Sequence, residues 1–258
     1  MSKPFREKQP SSSMSVNMEK AGNEESPTII FIHGSGGSSA TWFMQLRGLS
    51  DEFHVVAIEL NGHGKSHDRN EDNTTESYLA DIEGIVKNYN KPVIAGHSMG
   101  GMLAQLFALR YPNLISGIIL VGTGARLRVA SFVFEAIDNN FDEYVEGAGN
   151  FMFSENTSKE LIEASKIEIR KCKPAIIRRD FVACDGFDIM EKISEISVPA
   201  LIIVGDQDIM TPLKYSEYLH KNIPNSTLHV IGKAGHSVML EKPREFNAHV
   251  KDWMNGLF

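Results

Sequence analysis

The segment VIAGHSMGG, residues 93 to 101, is the clearest indicator of the fold: a short apolar run leads into a serine flanked by glycines, and a helix-forming stretch follows. A serine on such a strand-to-helix turn projects its hydroxyl outward, and the turn is tight enough that side chains at 96 and 100 would strike neighbouring backbone. Because the GxSxG pattern alone also arises by chance, the prediction that Ser98 is a nucleophile needs partners elsewhere in the chain.

Short β-branched and aromatic runs bounded by turn residues recur along the chain. None alternates polar and apolar residues throughout, which favours parallel strands covered on both faces. Candidate helices separate these runs, so we predict an α/β fold with a mostly parallel, doubly wound sheet. The predicted strands span 28–33, 55–60, 92–95, 115–121, 200–204 and 227–231, and the helices 40–49, 77–89, 99–111, 213–222 and 243–257.

The region from residue 122 to about 195 has no buried strand and several amphipathic stretches, among them 158–171 and 174–184. We therefore predict a helical cap over 123–195, inserted into a core formed by 27–122 and 196–258. The polar residues 1–26 are expected to form a flexible lead-in with at most one short strand at 14–18. A chain of 258 residues is long enough for this organisation.

Composition narrows the function classes. A net charge of −7 argues against a nucleic-acid surface. The two cysteines, Cys172 and Cys184, have no metal-ligand spacing, so we predict free thiols and no metal site. No apolar stretch approaches the roughly 20 residues that a bilayer requires, and no signal peptide is evident, so we expect a cytoplasmic protein without a membrane partner. The oligomeric state stays open.

A serine nucleophile requires a base and a group that orients the base. Among nine histidines, His236 follows the last predicted strand directly, and open α/β sheets bind ligands at the carboxyl ends of their strands. Asp208 follows the preceding strand and lies 236 − 208 = 28 residues earlier, which leaves room for one helix and one strand. Asp206 is the rival acid, with a turn or capping role as its alternative.

Backbone amides must also stabilise the oxyanion that forms during acyl transfer. By position the donors are the N–H of Met99, which begins a helix, and the N–H of Ser35 or Gly36 in the loop HGSGG at 33–37. The side chains of His33 and His63 are predicted to serve turn geometry.

With these motifs in this order, the chain resembles the capped α/β-hydrolase superfamily over about residues 28 to 258. The resemblance rests on FIHGSGG at 31–37, LNGHGKS at 60–66, GHSMG at 96–100, GDQD at 205–208 and AGH at 234–236. It implies a carboxylesterase-like serine hydrolase that works without a cofactor. A serine where dehalogenases and epoxide hydrolases of the fold carry aspartate disfavours those activities.

The expected substrate is a small, largely apolar carboxylic ester, lactone or thioester. The alternatives are an enol-lactone or carbon–carbon bond hydrolase of the same fold, or a slow-turnover ligand receptor. Aromatic residues in the cap favour an apolar pocket, with lining predicted at His97, Phe132, Phe134 and Val238. A cation for a carboxylate-bearing substrate could instead come from one of four arginines: Arg126, Arg128, Arg178 and Arg179.

Overall fold

In the part of the chain that the structure describes, seven strands form one sheet in the order β1-β3-β2-β4-β5-β6-β7. The structure is a computed structural model that describes residues 16–258. Strand β1 is antiparallel to β3, and all other neighbours are parallel, which confirms the predicted fold class. The strands are β1 (Met18–Ala21), β2 (Thr28–Ile32), β3 (His54–Ile58), β4 (Val93–His97), β5 (Gly117–Val121), β6 (Ala200–Gly205) and β7 (Ser226–Ile231).

Helices cover both faces of the sheet, since strands β2 to β6 are buried along their whole length. Side chains of Ile30 and Leu103 belong to the apolar cluster on one face, and those of Ile29 and Phe246 to the cluster on the other. The core helices are α1 (Phe43–Gly48), α2 (Thr74–Val86) and α3 (Met99–Arg110) before the cap, and α8 (Leu213–Asn222), α9 (Val238–Glu241) and α10 (Pro243–Leu257) after it.

Four helices lie between β5 and β6 and have a small apolar cluster of their own, which includes Val145, Ile169 and Ile177. They are α4 (Ser131–Asn139), α5 (Phe141–Phe151), α6 (Lys159–Lys171) and α7 (Pro174–Asp185). Among residues 16–258 no helix is long and apolar enough to cross a membrane.

Strand β1 lies inside the stretch predicted as a flexible lead-in with at most one short strand at 14–18; it shares Met18 with that strand, and the prediction is wrong for residues 19–21. Its Met18 pairs with Ile58, and the N–H of Asn17 donates to the Ser66 hydroxyl at 2.8 Å. A short edge strand with two exposed polar residues gives little periodicity for a sequence-based prediction. Part of the strand predicted at 14–18 lies outside the described residues.

The connections between successive strands change direction across the sheet next to β2. The connection from β2 leads to β3 on one side, whereas β4, β5, β6 and β7 follow on the other side. In open α/β sheets the crevice at the carboxyl ends of the strands flanking such a reversal is the usual ligand site. The loop after β2 and the turn after β4 meet there.

Candidate active site

Ser98 occupies the turn between β4 and α3 with φ 53°, a left-handed conformation that is uncommon outside glycine. A Cβ atom at Gly96 would overlap the carbonyl oxygen of Gly100, and one at Gly100 would overlap that of Ile32. Two hydrogen bonds fix the turn: the Ser98 N–H donates to Val121 at 2.9 Å, and the hydroxyl of Thr123 donates to the Ser98 carbonyl at 2.9 Å. The strained backbone thus holds the serine at the carboxyl end of β4.

His236 and Asp208 form a buried pair, in which the Nδ1–H of His236 donates to Oδ2 of Asp208 at 2.9 Å. Their side chains are 2% and 0% exposed. Burial alone would raise the pKa of Asp208, but the charge and hydrogen bond of His236 and the hydrogen bonds of Thr211 hold that pKa below its ordinary value. Asp206 is exposed, and its carboxylate accepts only a long bond, 3.4 Å, from the N–H of Ala234. The geometry therefore favours Asp208 as the orienting acid.

Ser98 and His236 line the same cavity, which has a volume of about 400 Å³. Within residues 16–258 no hydrogen bond joins the Ser98 hydroxyl to the His236 ring. Such bonds are often long in unliganded sites and tighten when substrate binds. The ring of His97 lies tilted beside that of His236, with 4.6 Å between the ring centres, and its Nε2–H donates to the His236 carbonyl at 3.1 Å.

The amides of Met99 and Ser35 are the candidate oxyanion donors. Met99 is the first residue of α3, so its N–H has no acceptor within the helix. The N–H of Ser35 has no acceptor among residues 16–258, and the neighbouring Gly34 passes so close that a Cβ there would lie 3.3 Å from Cβ of Ser98. The alternative donor, Gly36, is excluded because its N–H donates to Asp180 at 2.9 Å.

His33 and His63 contact loop backbone beside the sheet. The Nδ1–H of His33 donates to the carbonyl of Gly34 at 2.8 Å, and the N–H of Leu60 donates to its Nε2 at 3.2 Å. Burial, with the charge of nearby His63, lowers the pKa of His33 to about 3, so the ring is neutral. The His63 ring lies tilted against the His33 ring, with 4.6 Å between the ring centres.

The predicted pocket residues separate into three groups. His97 lines the catalytic cavity. Phe132 is 56% exposed and lines a second cavity instead. Phe134 lies under the guanidinium of Arg178, 5.7 Å from ring centre to charge, and Val238 is fully buried in the core, so neither belongs to the wall of the catalytic cavity.

The second cavity, of about 610 Å³, lies between α4, α5 and the Ile209–Met210 turn. It shares two walls with the catalytic cavity, the side chains of Phe181 and Met210. Cavities of a few hundred Å³ or more are the size that small-molecule ligands occupy. No sequence signal indicates that Met210 and Phe181 line both cavities, because these two residues approach each other only when the cap packs on the core.

The catalytic cavity is mostly apolar, and Glu168 contributes its one charged side chain among the described residues. The four arginines that could have met a carboxylate are paired with the protein's own acids: Arg126 and Arg128 with Asp188, Arg178 with Asp138, and Arg179 with Asp68. Arg128 also borders the second cavity. Among residues 16–258, none of these four arginines lines the catalytic cavity, so none of them offers a free cation to a carboxylate-bearing substrate beside Ser98.

Among residues 16–258 no group of three or more metal-ligating side chains is close enough together to hold a metal ion. Cys172 and Cys184 are buried free thiols, and burial raises the pKa of each to about 12. Neither is a nucleophile at neutral pH.

Known proteins similar to this chain include esterases and other hydrolases. A solved thermophilic esterase is 33% identical, with a TM-score of 0.83 over 94% of this chain and 99% of that chain. A malate-bound thermophilic esterase from Thermogutta terrifontis is 25% identical, with a TM-score of 0.85 over 94% of this chain and 93% of that chain. RutD of Agrobacterium fabrum, named as a candidate carbamate hydrolase, is 28% identical over 89% of this chain and 94% of its own length.

The family model described as the alpha/beta hydrolase family matches residues 29–249, which include the Ser98 turn, Asp208 and His236. A match of this extent covers most of the core and the whole cap. The chain therefore belongs to the alpha/beta hydrolase family.

Proposed function

We propose that the protein is a carboxylesterase-like serine hydrolase acting on a small, largely apolar ester. One observation carries the proposal: Ser98, strained at φ 53°, lines an apolar cavity together with His236, and His236 is paired with the buried Asp208. The esterases among the similar structures support this class of substrate. Lactones and thioesters present the same reacting acyl carbon and belong to the proposal.

In the first half of the reaction His236 takes the proton from the Ser98 hydroxyl while Oγ bonds to the acyl carbon. The carbonyl oxygen becomes an oxyanion, and the N–H groups of Met99 and Ser35 donate to it. The bond from the acyl carbon to the alcohol oxygen then breaks, and the alcohol leaves with the proton held by His236. Asp208 keeps the imidazole in the required tautomer and stabilises its cationic form.

In the second half a water molecule attacks the acyl-enzyme. His236 accepts a proton from this water, the oxyanion forms again against the same two amides, and the bond to Ser98 Oγ breaks. Oγ regains the proton from His236, and the carboxylic acid is released. The cycle returns every group to its starting protonation state, so no cofactor takes part.

Charge in the cavity favours a neutral ester over the alternative substrates. An enol-lactone substrate that carries a carboxylate would meet Glu168 and no cation beside Ser98. Glu168 is partly exposed and pairs with Lys171, so it repels a substrate carboxylate only weakly, and this repulsion still favours a neutral ester. A carbon–carbon bond hydrolase has less support too, because Ser237 follows the catalytic histidine where such enzymes tend to carry tryptophan.

The test compares wild type with Ser98→Ala on p-nitrophenyl butyrate, together with fluorophosphonate labelling of Ser98. We expect many turnovers and labelling for wild type, and a loss of several orders of magnitude for the variant without loss of folding. Asp208→Asn and Asp206→Asn form a matched pair, of which only the first should lower kcat strongly. Wild-type activity in Ser98→Ala, or a burst of one equivalent that then stops, would contradict the proposal, the second outcome in favour of a receptor.

A further inference from the structure

A buried carboxylate reaches from the cap to the oxyanion loop. Asp180 lies on α7, is fully buried, and accepts three hydrogen bonds. The donors are the N–H of Gly36 at 2.9 Å, Nε2–H of His63 at 2.8 Å and the hydroxyl of Tyr78 at 2.6 Å. The cap carboxylate thus contacts the loops after β2 and β3 and the helix α2.

The same face of α7 also packs against Gly36. Ile177 precedes Asp180 by one helical turn, and its Cγ1 lies 2.9 Å from the position that a Cβ atom would take at Gly36. Gly36 has φ +67°, a conformation that other residues rarely adopt. Its backbone is therefore held between an aliphatic side chain and a carboxylate of a single helix.

Both peptide groups that flank the Cα of Ser35 are fixed by histidine or aspartate side chains. The peptide before it carries the candidate oxyanion donor, the Ser35 N–H, and its carbonyl, that of Gly34, accepts from His33 at 2.8 Å. The peptide after it carries the Gly36 N–H that Asp180 accepts. His33 belongs to the core, whereas Asp180 belongs to the cap, so the orientation of Ser35 depends on both.

We propose that Asp180 is a positioning residue of the oxyanion hole, which holds the Gly36 peptide so that the Ser35 N–H stays aimed at the reacting carbonyl oxygen. This inference rests on the proposed esterase function. It also makes the oxyanion hole depend on the seating of α7, and Phe181, the next residue on that helix, lines the catalytic cavity. Substrate that displaces the cap would therefore disturb the hole as well.

The carboxylate acts through geometry, since a negative charge close to an oxyanion is unfavourable by itself. Burial alone would raise the pKa of Asp180, but the charge and hydrogen bond of His63, together with the other two donors, hold that pKa below its ordinary value. The three donors leave little free charge to act on the substrate. A purely electrostatic effect of Asp180 would predict a faster enzyme on neutralisation, whereas positioning predicts a slower one.

The test is Asp180→Asn, which keeps the size of the side chain but offers one oxygen acceptor to three donors. We expect kcat on p-nitrophenyl butyrate to fall by about tenfold or more with little change in KM, because the loss of one oxyanion donor costs about 100- to 1,000-fold and misalignment costs part of that. Affinity for butylboronic acid, which forms a tetrahedral adduct on Ser98, should fall by a similar factor. A role in folding alone would leave the boronate affinity of the folded variant unchanged.

Glu146→Gln is the matched cap control, because Glu146 pairs with Lys166 and Arg170 within the cap and does not contact the loop. Its kcat and boronate affinity should match those of wild type. If Asp180→Asn does not fold, Ile177→Ala replaces it and should lower the same two quantities together by a smaller factor. The inference is overturned if kcat and boronate affinity are unchanged in whichever loop-facing variant folds, or if Glu146→Gln lowers them equally. Absence of turnover by the wild-type protein would instead overturn the esterase proposal.

Discussion

The hydroxyl of Thr211 donates a 2.7 Å hydrogen bond to Oδ2 of Asp208, the same oxygen that accepts from His236. The N–H groups of Met210 and Thr211 donate to Oδ1 at 2.9 and 2.8 Å. The carboxylate is thus fixed through both oxygens by the turn that follows it. The Asp-x-x-Thr spacing at 208–211 was the available sequence signal, as a short polar side chain often closes such a turn.

Thr211→Val should lower kcat/KM for p-nitrophenyl butyrate by about tenfold, since a hydrogen bond to a charged group contributes about 1.5 to 3 kcal/mol and the two backbone donors remain. Valine keeps the shape of threonine, so KM should change little, whereas the melting temperature should fall by several degrees because the same buried hydrogen bond also stabilises the fold. The loss of one donor also raises the pKa of Asp208. Thr211→Ser restores the hydroxyl and should recover most of the rate, and equal rates for the two variants would exclude this role.

The features of the candidate site that the sequence predicts depend on short stretches of chain. The proposed nucleophile and acid each follow a buried strand, and the proposed base follows the edge strand β7; parallel strands bring the positions after their carboxyl ends to one side of the sheet whatever packs around them. The contacts that it missed join distant segments: the Gly36 N–H and Asp180 are 144 residues apart. No periodicity or motif indicates which amide a cap carboxylate will contact, and for that reason Gly36 seemed as good a donor as Ser35.

The choice between Asp206 and Asp208 illustrates the same limit. Both follow β6, and spacing alone allows either to reach His236. Turn geometry decides between them, because it buries Asp208 beside the ring and leaves Asp206 in solvent. Val238 is predicted from the sequence to line the pocket, but it lies on α9, which turns its side chain into the core.

Stability should fall as the pH drops from about 6.5, the ordinary pKa of histidine, towards 3. Burial, with the charge of a neighbouring histidine in each case, lowers the pKa of His33 and of His97 to about 3. The unfolded chain therefore binds protons in this range that the native protein does not, and the free energy of unfolding declines by about 1.4 kcal/mol per pH unit for each ring. Urea denaturation between about pH 6.5 and 4.5 measures this slope.

His33→Gln and His97→Gln should each reduce that slope by about one proton, and the double variant by about two. Glutamine retains a donor and an acceptor, so part of each hydrogen-bonding pattern survives. This pH range lies above the pKa of ordinary carboxyl groups, so the measured slope reports protonation of the histidines and not of Asp208. Parallel slopes for wild type and both single variants would show that these rings are protonated in the native state.

Glu168 should make the protein prefer neutral over anionic esters. Its side chain is 42% exposed and pairs with Lys171, so solvent and the lysine screen much of the charge. Glu168→Gln is therefore expected to raise kcat/KM for p-nitrophenyl hemisuccinate by only about two- to fivefold, in line with the small energies of exposed ion pairs. The value for p-nitrophenyl butyrate serves as the internal control and should stay constant, and a rise for both esters would point to a change in cavity shape.

Met210 should limit the length of the substrate, since its side chain lies between the catalytic cavity and the second cavity. Met210→Ala opens this wall but keeps the backbone N–H that Asp208 accepts. A longer chain can then bury methylene groups in the second cavity, each contributing up to about 0.8 kcal/mol. We expect kcat/KM for p-nitrophenyl octanoate to rise severalfold relative to butyrate. Ile209→Ala is the matched control, because Ile209 lines the second cavity alone; if both variants shifted the ratio equally, Met210 would not be the barrier.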